Sequence, residues 1–507
     1  MRNLRLLLLV VPLVGCERKA IALGESAVDS AWDTASMVYD DTSPPSPSIL
    51  VTGGAIDPLL APTLTLAITS QEGTAVRVVL TDADGAVVRT LADGTAMVET
   101  VTWDGRSDAG EVQPVGTYTV EAVLVDDEGL DLIASTSLVY VVRVGVLSGT
   151  LRGNRIPLIW HRGGAPGTYW VEDVDDTTFE LSALDDGTAA TPLPTLWDDL
   201  DVPPQSHIDH GLPAAYPYDA LPQLTLAVSG EFGEAPVELS LSGWGVPQAV
   251  ARATEATFGR DTALATGPTV VEESVTLTWS VQGQEIATQP LPLRFYALLR
   301  EPTFEEDGAP YEPWVAAIDP ALRAITGVSP TDDALSAALT EWIYRDLSLS
   351  YDTDYGASYY TSYSGRGYDD AEFDFSSFLG RRNGSTVNCT DCASILEAYA
   401  DMLGADLSYT IILSNFQLNY IKAIGGTDFT HCPFGPGGCG FSYHAVTTAD
   451  DALTIYDATL ALDGDDDPSS PPNTELLVQA IDGEEYLDRL VMSGRSSYNY
   501  TQHVSLR

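Results

Sequence analysis

Three short stretches carry the residue types of a nucleophilic site. Asn388-Cys389-Thr390-Asp391-Cys392-Ala393 brings a thiol, Phe441-Ser442-Tyr443-His444-Ala445 an imidazole, and Thr454-Ile455-Tyr456-Asp457-Ala458-Thr459 a carboxylate. Together they suit covalent acyl chemistry: a thiolate attacks a carbonyl, the imidazole moves the proton and the carboxylate orients the imidazole. The elements that must position them are also legible. Cys389, Ala393, Leu396, Ala400 and Leu403 recur at intervals of three and four, which predicts an amphipathic helix with these residues on its buried face and Gly404 as its stop. A thiol in the first turn lies near free backbone N–H groups and the positive end of the helix dipole, and both favour thiolate. The His and Asp stretches, separated by Ala449-Asp450-Asp451-Ala452, read as a hairpin. With Asp450 and Asp451 as a two-residue turn, His444 and Asp457 stand directly opposite, at ~4.5–5.5 Å between Cβ atoms. One extra loop residue would spoil that register.

The other polar clusters carry simpler readings beside sharper ones. Cys392 reads as core, with a redox pairing to Cys389 as the alternative. Cys432 and Cys439 flank Pro433-Phe434-Gly435-Pro436-Gly437-Gly438, and a local disulfide is the expectation in an oxidising compartment. A competing arrangement joins Cys389, Cys392, Cys432 and Cys439, with His431 as substitute, in a structural zinc site that would exclude a free nucleophile. Asp463, Asp465 and Asp467 offer carboxylates to calcium, or form a solvated acidic loop. His207 and His210 offer a metal pair, or are loop polar residues. No cofactor is otherwise implied.

Cys389-x-Asp391-x-Ala393 opening a helix, Gly404 beyond it, Tyr443-His444-Ala445 and a strand ending in Asp457-x-Thr459 resemble the transglutaminase-like fold, over roughly Pro310 to Arg507. The resemblance implies an α+β, papain-like domain with Cys389 as nucleophile, His444 as base and Asp457 as orienter. It also implies a peptide or protein substrate attacked at peptide or side-chain amide bonds. Val446 stands where the family often has Trp, and a Gly- and Cys-rich insertion precedes the His. Lys19 and Lys422 are the only lysines, so self-cross-linking has almost no acceptor amines and hydrolysis is favoured. The alternative is a non-catalytic surface module that binds or supports.

Residues 1–15 carry a basic start, an apolar run and Leu13-Val14-Gly15-Cys16, which resembles a bacterial lipobox. That implies cleavage before Cys16, its lipidation and attachment to a membrane, placing the chain in the bacterial cell envelope on the outer membrane or cell surface. Residues 16–50 read as a Ser/Pro-rich acidic tether. Short alternating runs and Asp-Gly turns over 51–146 predict a β-sandwich. Its Asp82–Leu91 stretch, Thr102-Trp103-Asp104-Gly105 and Gly116-Thr117-Tyr118 resemble the immunoglobulin-like module of flagellar hook-capping proteins, with Trp103 as core anchor. Residues 147–305 continue β-rich without a recognised family. The expected fold is therefore multidomain: an all-β immunoglobulin-like sandwich, a second β-rich domain, then an α+β transglutaminase-like domain over 306–507. A net charge of −49, spread over all segments, argues against nucleic acid as a partner.

Overall fold

The computed structural model describes residues between 54 and 158, at 178–180 and between 214 and 506, apart from short stretches such as 126–130, 250–254, 364–370 and 450–452. The signal segment, Cys16, the tether, His207 and His210 lie outside the described residues.

Most of the described chain is strand. In the first module, a five-stranded sheet runs Ala55–Ile56, Asp131–Val141, Gly116–Val125, Ala75–Thr81, Val87–Gly94, accompanied by the pair Leu64–Ala67 and Thr100–Trp103. Alternating side chains of these strands bury Leu66, Val78, Leu80 and Val120 around Trp103 and Tyr118, as a period-two pattern requires. Trp103 is the expected anchor: its ring is fully buried, 5.7 Å from that of Tyr118, and its Nε1 donates to the Arg106 carbonyl at 2.9 Å. Gly85, with φ +79°, closes the Asp-Gly turn at Asp82, a conformation that costs glycine nothing.

The middle region is a second sandwich. One sheet is built on the long hairpin Thr269–Val281 and Gln284–Leu298, the other on Arg143–Arg152, Gln223–Glu231 and Glu255–Gly259. Leu224 and Leu226 of one layer and Leu277 and Trp279 of the other share a core with Trp244 and Phe295. The strand Gln284–Leu298 serves two cores: Phe295 and Ala297 belong to this one, whereas Tyr296 and Leu298, with Leu299 just beyond, join the C-terminal core, where the Tyr296 hydroxyl donates to Asp319 at 3.1 Å.

The C-terminal region holds five helices among the described residues: α1 (Val315–Ala324), α2 (Asp332–Arg345), α3 (Phe375–Leu379), α4 (Cys389–Met402) and α5 (Gly483–Leu490). Leu335, Leu339, Trp342 and Ile343 form the buried stripe of α2, as their spacing predicts. A seven-stranded sheet runs Ile421–Ala423, Thr454–Asp463, Gly440–Ala449, Ser408–Leu418, Val491–Gly494, with Glu475–Asp482 pairing Thr454–Asp463 and Ser497–Gln502 pairing Ser408–Leu418. Helix α4 departs from its expected amphipathic form, since all fourteen of its residues are buried. Its polar positions are covered by chain distant in sequence, so it is a central helix rather than a surface one.

Candidate functional site

Helix α4 begins at the candidate nucleophile. Asn388 is its N-cap, accepting from the Asp391 N–H at 3.0 Å, and Asp391 accepts in return from the Asn388 N–H at 3.3 Å. This reciprocal box satisfies two of the helix's unpaired donors and fixes Cys389 in its first turn. The same Asp391 carboxylate accepts from the N–H groups of Tyr359, Tyr360 and Thr361 and from the Ser358 hydroxyl, at 2.8–3.0 Å. It thereby ties the segment before the helix onto the helix start.

The strand Gly440–Ala449 carries His444, and Thr454–Asp463 carries Asp457. Their ladder pairs Thr447 with Tyr456 and Ala449 with Thr454. The connection is therefore residues 450–453 and not a two-residue turn, so His444 and Asp457 are diagonal rather than directly opposed. A shift of two is one full strand period, so both side chains stay on the same face. The link survives: His444 Nε2 lies 2.8 Å from Asp457 Oδ2, with both residues buried.

Asp457 is held in turn. Oδ2 accepts from the Tyr486 hydroxyl of α5 at 2.7 Å, and Oδ1 from the Thr459 N–H at 2.7 Å. Burial alone would lower the His444 pKa, but the Asp457 charge and hydrogen bond, followed by the interaction with Cys389, lift it to about 10. With Nε2 engaged by Asp457, Nδ1 has no hydrogen-bond partner and is the nitrogen left for the thiol. The Phe441 ring stacks on the imidazole, centroids 5.0 Å apart and planes within 5°, which restrains its rotation.

Cys392, one turn along α4, is fully buried, and burial followed by the nearby Asp391 charge pushes its thiol pKa well up. It is a core thiol, and both it and Cys389 are unbonded. Cys432 and Cys439 form a disulfide. With these sulfurs joined, the four-thiolate zinc arrangement does not exist in this structure, although His431 lies beside them. The carboxylates of Asp463, Asp465 and Asp467 do not converge either. Asp463 is buried, accepting from Asn473 Nδ2 at 2.6 Å and the Thr474 N–H at 2.9 Å, while Asp467 binds the hydroxyls of Ser469 and Ser470.

The aromatic stretch from Tyr351 to Tyr360 divides. Tyr355 is 85% exposed, whereas Tyr351 and Tyr360 are buried. Burial, followed by the nearby Cys389 thiol, holds the Tyr351 pKa well above the ordinary phenol, so Tyr351 is a neutral hydroxyl beside Cys389. The disulfide loop contributes Phe434, which packs on Tyr351 and Phe441. Tyr486 and Phe434 were not legible as site residues, because nothing local marks them. Phe441 had a signal in its position three before His444.

Comparison with known proteins bears on the N-terminal module. Residues 61–128 match the FlgD Ig-like domain family. The basal-body rod modification protein FlgD of Salmonella typhimurium is 33% identical over 135 residues, 26% of this chain and 53% of that protein. Its counterpart in Escherichia coli K12 is 36% identical over 99 residues, 19% of this chain and 38% of that one. This chain thus spans about half or less of the length of the curated relatives it matches. Among solved structures, fibronectin(III)-like modules of Clostridium thermocellum CbhA align with 49% of this chain and 93% of that one, at 12% identity and a TM-score of 0.21. The matched segment lies within the first sandwich, and the similarity to FlgD supports an immunoglobulin-like module there.

Proposed function

We propose that the C-terminal region is a transglutaminase-like cysteine amidase or peptidase domain, presented by two β-modules on an exported lipoprotein anchored to the bacterial envelope through Cys16. The observation that carries this reading is the buried His444–Asp457 pair, with His444 Nδ1 left without a partner beside a cysteine in the first turn of α4. The likeness of residues 61–128 to a FlgD Ig-like domain fits a chain displayed outside the cytoplasm.

In this mechanism the proton of the Cys389 thiol rests on His444 as the imidazolium that the Asp457 charge favours, and the thiolate Sγ attacks the carbonyl carbon of a peptide or side-chain amide. The oxyanion is met by N–H groups at the start of α4, with the Tyr351 hydroxyl as a further donor. His444 then passes its proton to the leaving amine as the C–N bond breaks, leaving a thioester. It next takes a proton from water, whose oxygen displaces Sγ, and the acid leaves with the thiol restored. Asp457, fixed by Tyr486 and the Thr459 N–H, holds the imidazole and balances its cation throughout.

A second reading is a non-catalytic binding or structural module. It is favoured by the 3% exposure of Cys389 and the complete burial of His444, which leave a substrate no direct approach in this conformation. Iodoacetamide labelling of the chain lacking residues 1–16, with sites assigned by mass spectrometry, separates the two. Catalysis predicts fast labelling of Cys389 at about pH 6, below the pKa of about 8.5 for an ordinary thiol, slowed at least about tenfold by His444→Ala. An inert Cys389, or a rate indifferent to His444, assigns the domain to binding.

A further inference from the structure

Helix α4 carries a second polar cluster, two turns beyond the nucleophile. Glu397 and Asp401 are four residues apart and so share one face. Glu397 is 1% exposed and Asp401 fully buried. His503, just after the strand Ser497–Gln502, reaches over both. Its Nδ1 lies 3.1 Å from Glu397 Oε1 and 3.4 Å from Asp401 Oδ2. We propose that Glu397, Asp401 and His503 bind a first-row divalent cation of the Zn²⁺ class, which clamps the C-terminal segment onto α4.

Spacing is the first argument. Four ligands at about 2.0–2.1 Å from a tetrahedral zinc ion stand about 3.3 Å from one another, and the two separations above lie on either side of that value. One donor atom from each residue fits within 4.8 Å of the other two. The second argument is independent of spacing. Glu397 Oε2 is buried and has no hydrogen-bond partner, which is a costly state for a carboxylate oxygen and one that needs an explanation. A cation that Glu397 holds through both carboxylate oxygens supplies it.

The remaining features are those of a built site. The Val504 N–H donates to Glu397 Oε1 at 3.2 Å and the Leu407 N–H to Asp401 Oδ1 at 3.1 Å, orienting both carboxylates as outer-shell partners do. The His503 side chain is 44% exposed, giving the ion a path in and leaving a fourth position for water. One imidazole with two carboxylates suits zinc, cobalt or manganese rather than calcium, which takes six to eight oxygen ligands. Eight residues separate Glu397 from Cys389, about 12 Å along the helix, so the ion is structural and takes no part in thiol chemistry. The proposal is independent of the proposed activity.

The test titrates Co²⁺ and Zn²⁺ into the chelator-treated full chain. One equivalent of Co²⁺ with four- or five-coordinate visible bands and no sulfur-to-cobalt charge-transfer band, plus a rise in Tm with Zn²⁺, is expected. His503→Ala, at a half-exposed position, should weaken binding at least about tenfold and abolish the Tm rise while circular dichroism stays native. Glu397→Gln should do the same where it folds, and His503→Ala decides the matter where it does not. The proposal is overturned by absence of stoichiometric binding, which would mean that a proton alone joins the triad, by affinity unchanged in His503→Ala, or by a charge-transfer band assigning the metal to Cys389 and Cys392.

Discussion

At the scale of residues, the His444–Asp457 pair combines full burial with a charge. Its folded pKa of about 10 lies above the ordinary 6.5, so the protonated form is favoured in the native state. The stability this contributes is fully present below 6.5 and is lost as pH rises through about 10. The groups facing His444 are Asp457 on the neighbouring strand, the thiol of Cys389 on α4 and, through Asp457, Tyr486 on α5. Thermal unfolding measured across that window should show the Tm of the wild type falling more steeply with pH than that of Asp457→Asn. Equal slopes would mean that the carboxylate does not hold the imidazolium. Tyr486→Phe removes a donor to a charged, buried carboxylate without changing shape, and should cost about 1.5–3 kcal/mol in denaturant titration. It should also slow Cys389 labelling, which a purely structural tyrosine would leave alone.

At the scale of elements, α4 is fixed at both ends by different means. The Asn388–Asp391 box sets its start, and Gly404 lets the chain leave it. Gly404 has φ +91°, and a Cβ there would stand 2.6 Å from the Arg300 carbonyl oxygen and 2.7 Å from its nitrogen. The Leu299 N–H donates to the Leu403 carbonyl at 2.9 Å, so the end of the last strand of the second sandwich docks on the end of α4. Gly404→Ala meets both strain and backbone collision, and should destabilise the protein by more than the ~1 kcal/mol typical of a glycine swap. Urea unfolding checks this, and an unchanged midpoint would mean that the close approach is absent. The disulfide between Cys432 and Cys439 gives the preceding insertion a definite place, seating Phe434 against the Tyr351 and Phe441 rings that enclose the site.

At the scale of the whole molecule, charge and core pull in opposite directions. Three apolar clusters hold the described chain, and the largest runs from the second sandwich into the C-terminal region. Against them acts the self-repulsion of a net charge of −49, which penalises compactness. Salt shortens the Debye length from about 30 Å at 0.01 M to about 3 Å at 1 M, so the Tm should rise as sodium chloride is added over that range. A flat response would mean that local ion pairs, such as Arg260 with Glu273 and Arg323 with Asp319 and Glu272, already neutralise the field that matters.

The sequence by itself determined the residue types of the candidate site, their order, the start and stop of α4 and the strands of the first sandwich. Each depends on neighbours a few residues apart: a cap, a glycine, a period of two or of three to four. Tertiary structure decided what such patterns do not encode. The hairpin register is one case, because hydrophobic alternation fixes which face a side chain takes but not a shift by a whole period. The burial of α4 on every side is another. Asp391, Glu397 and Asp401 lie outside the apolar stripe of that helix, yet Tyr359 to Thr361, Leu407, His503 and Val504 supply their partners from outside the helix. The hold of Tyr486 on Asp457, 29 residues away, is a third. A buried polar group must find a hydrogen-bond partner, but only the folded chain determines which one it finds.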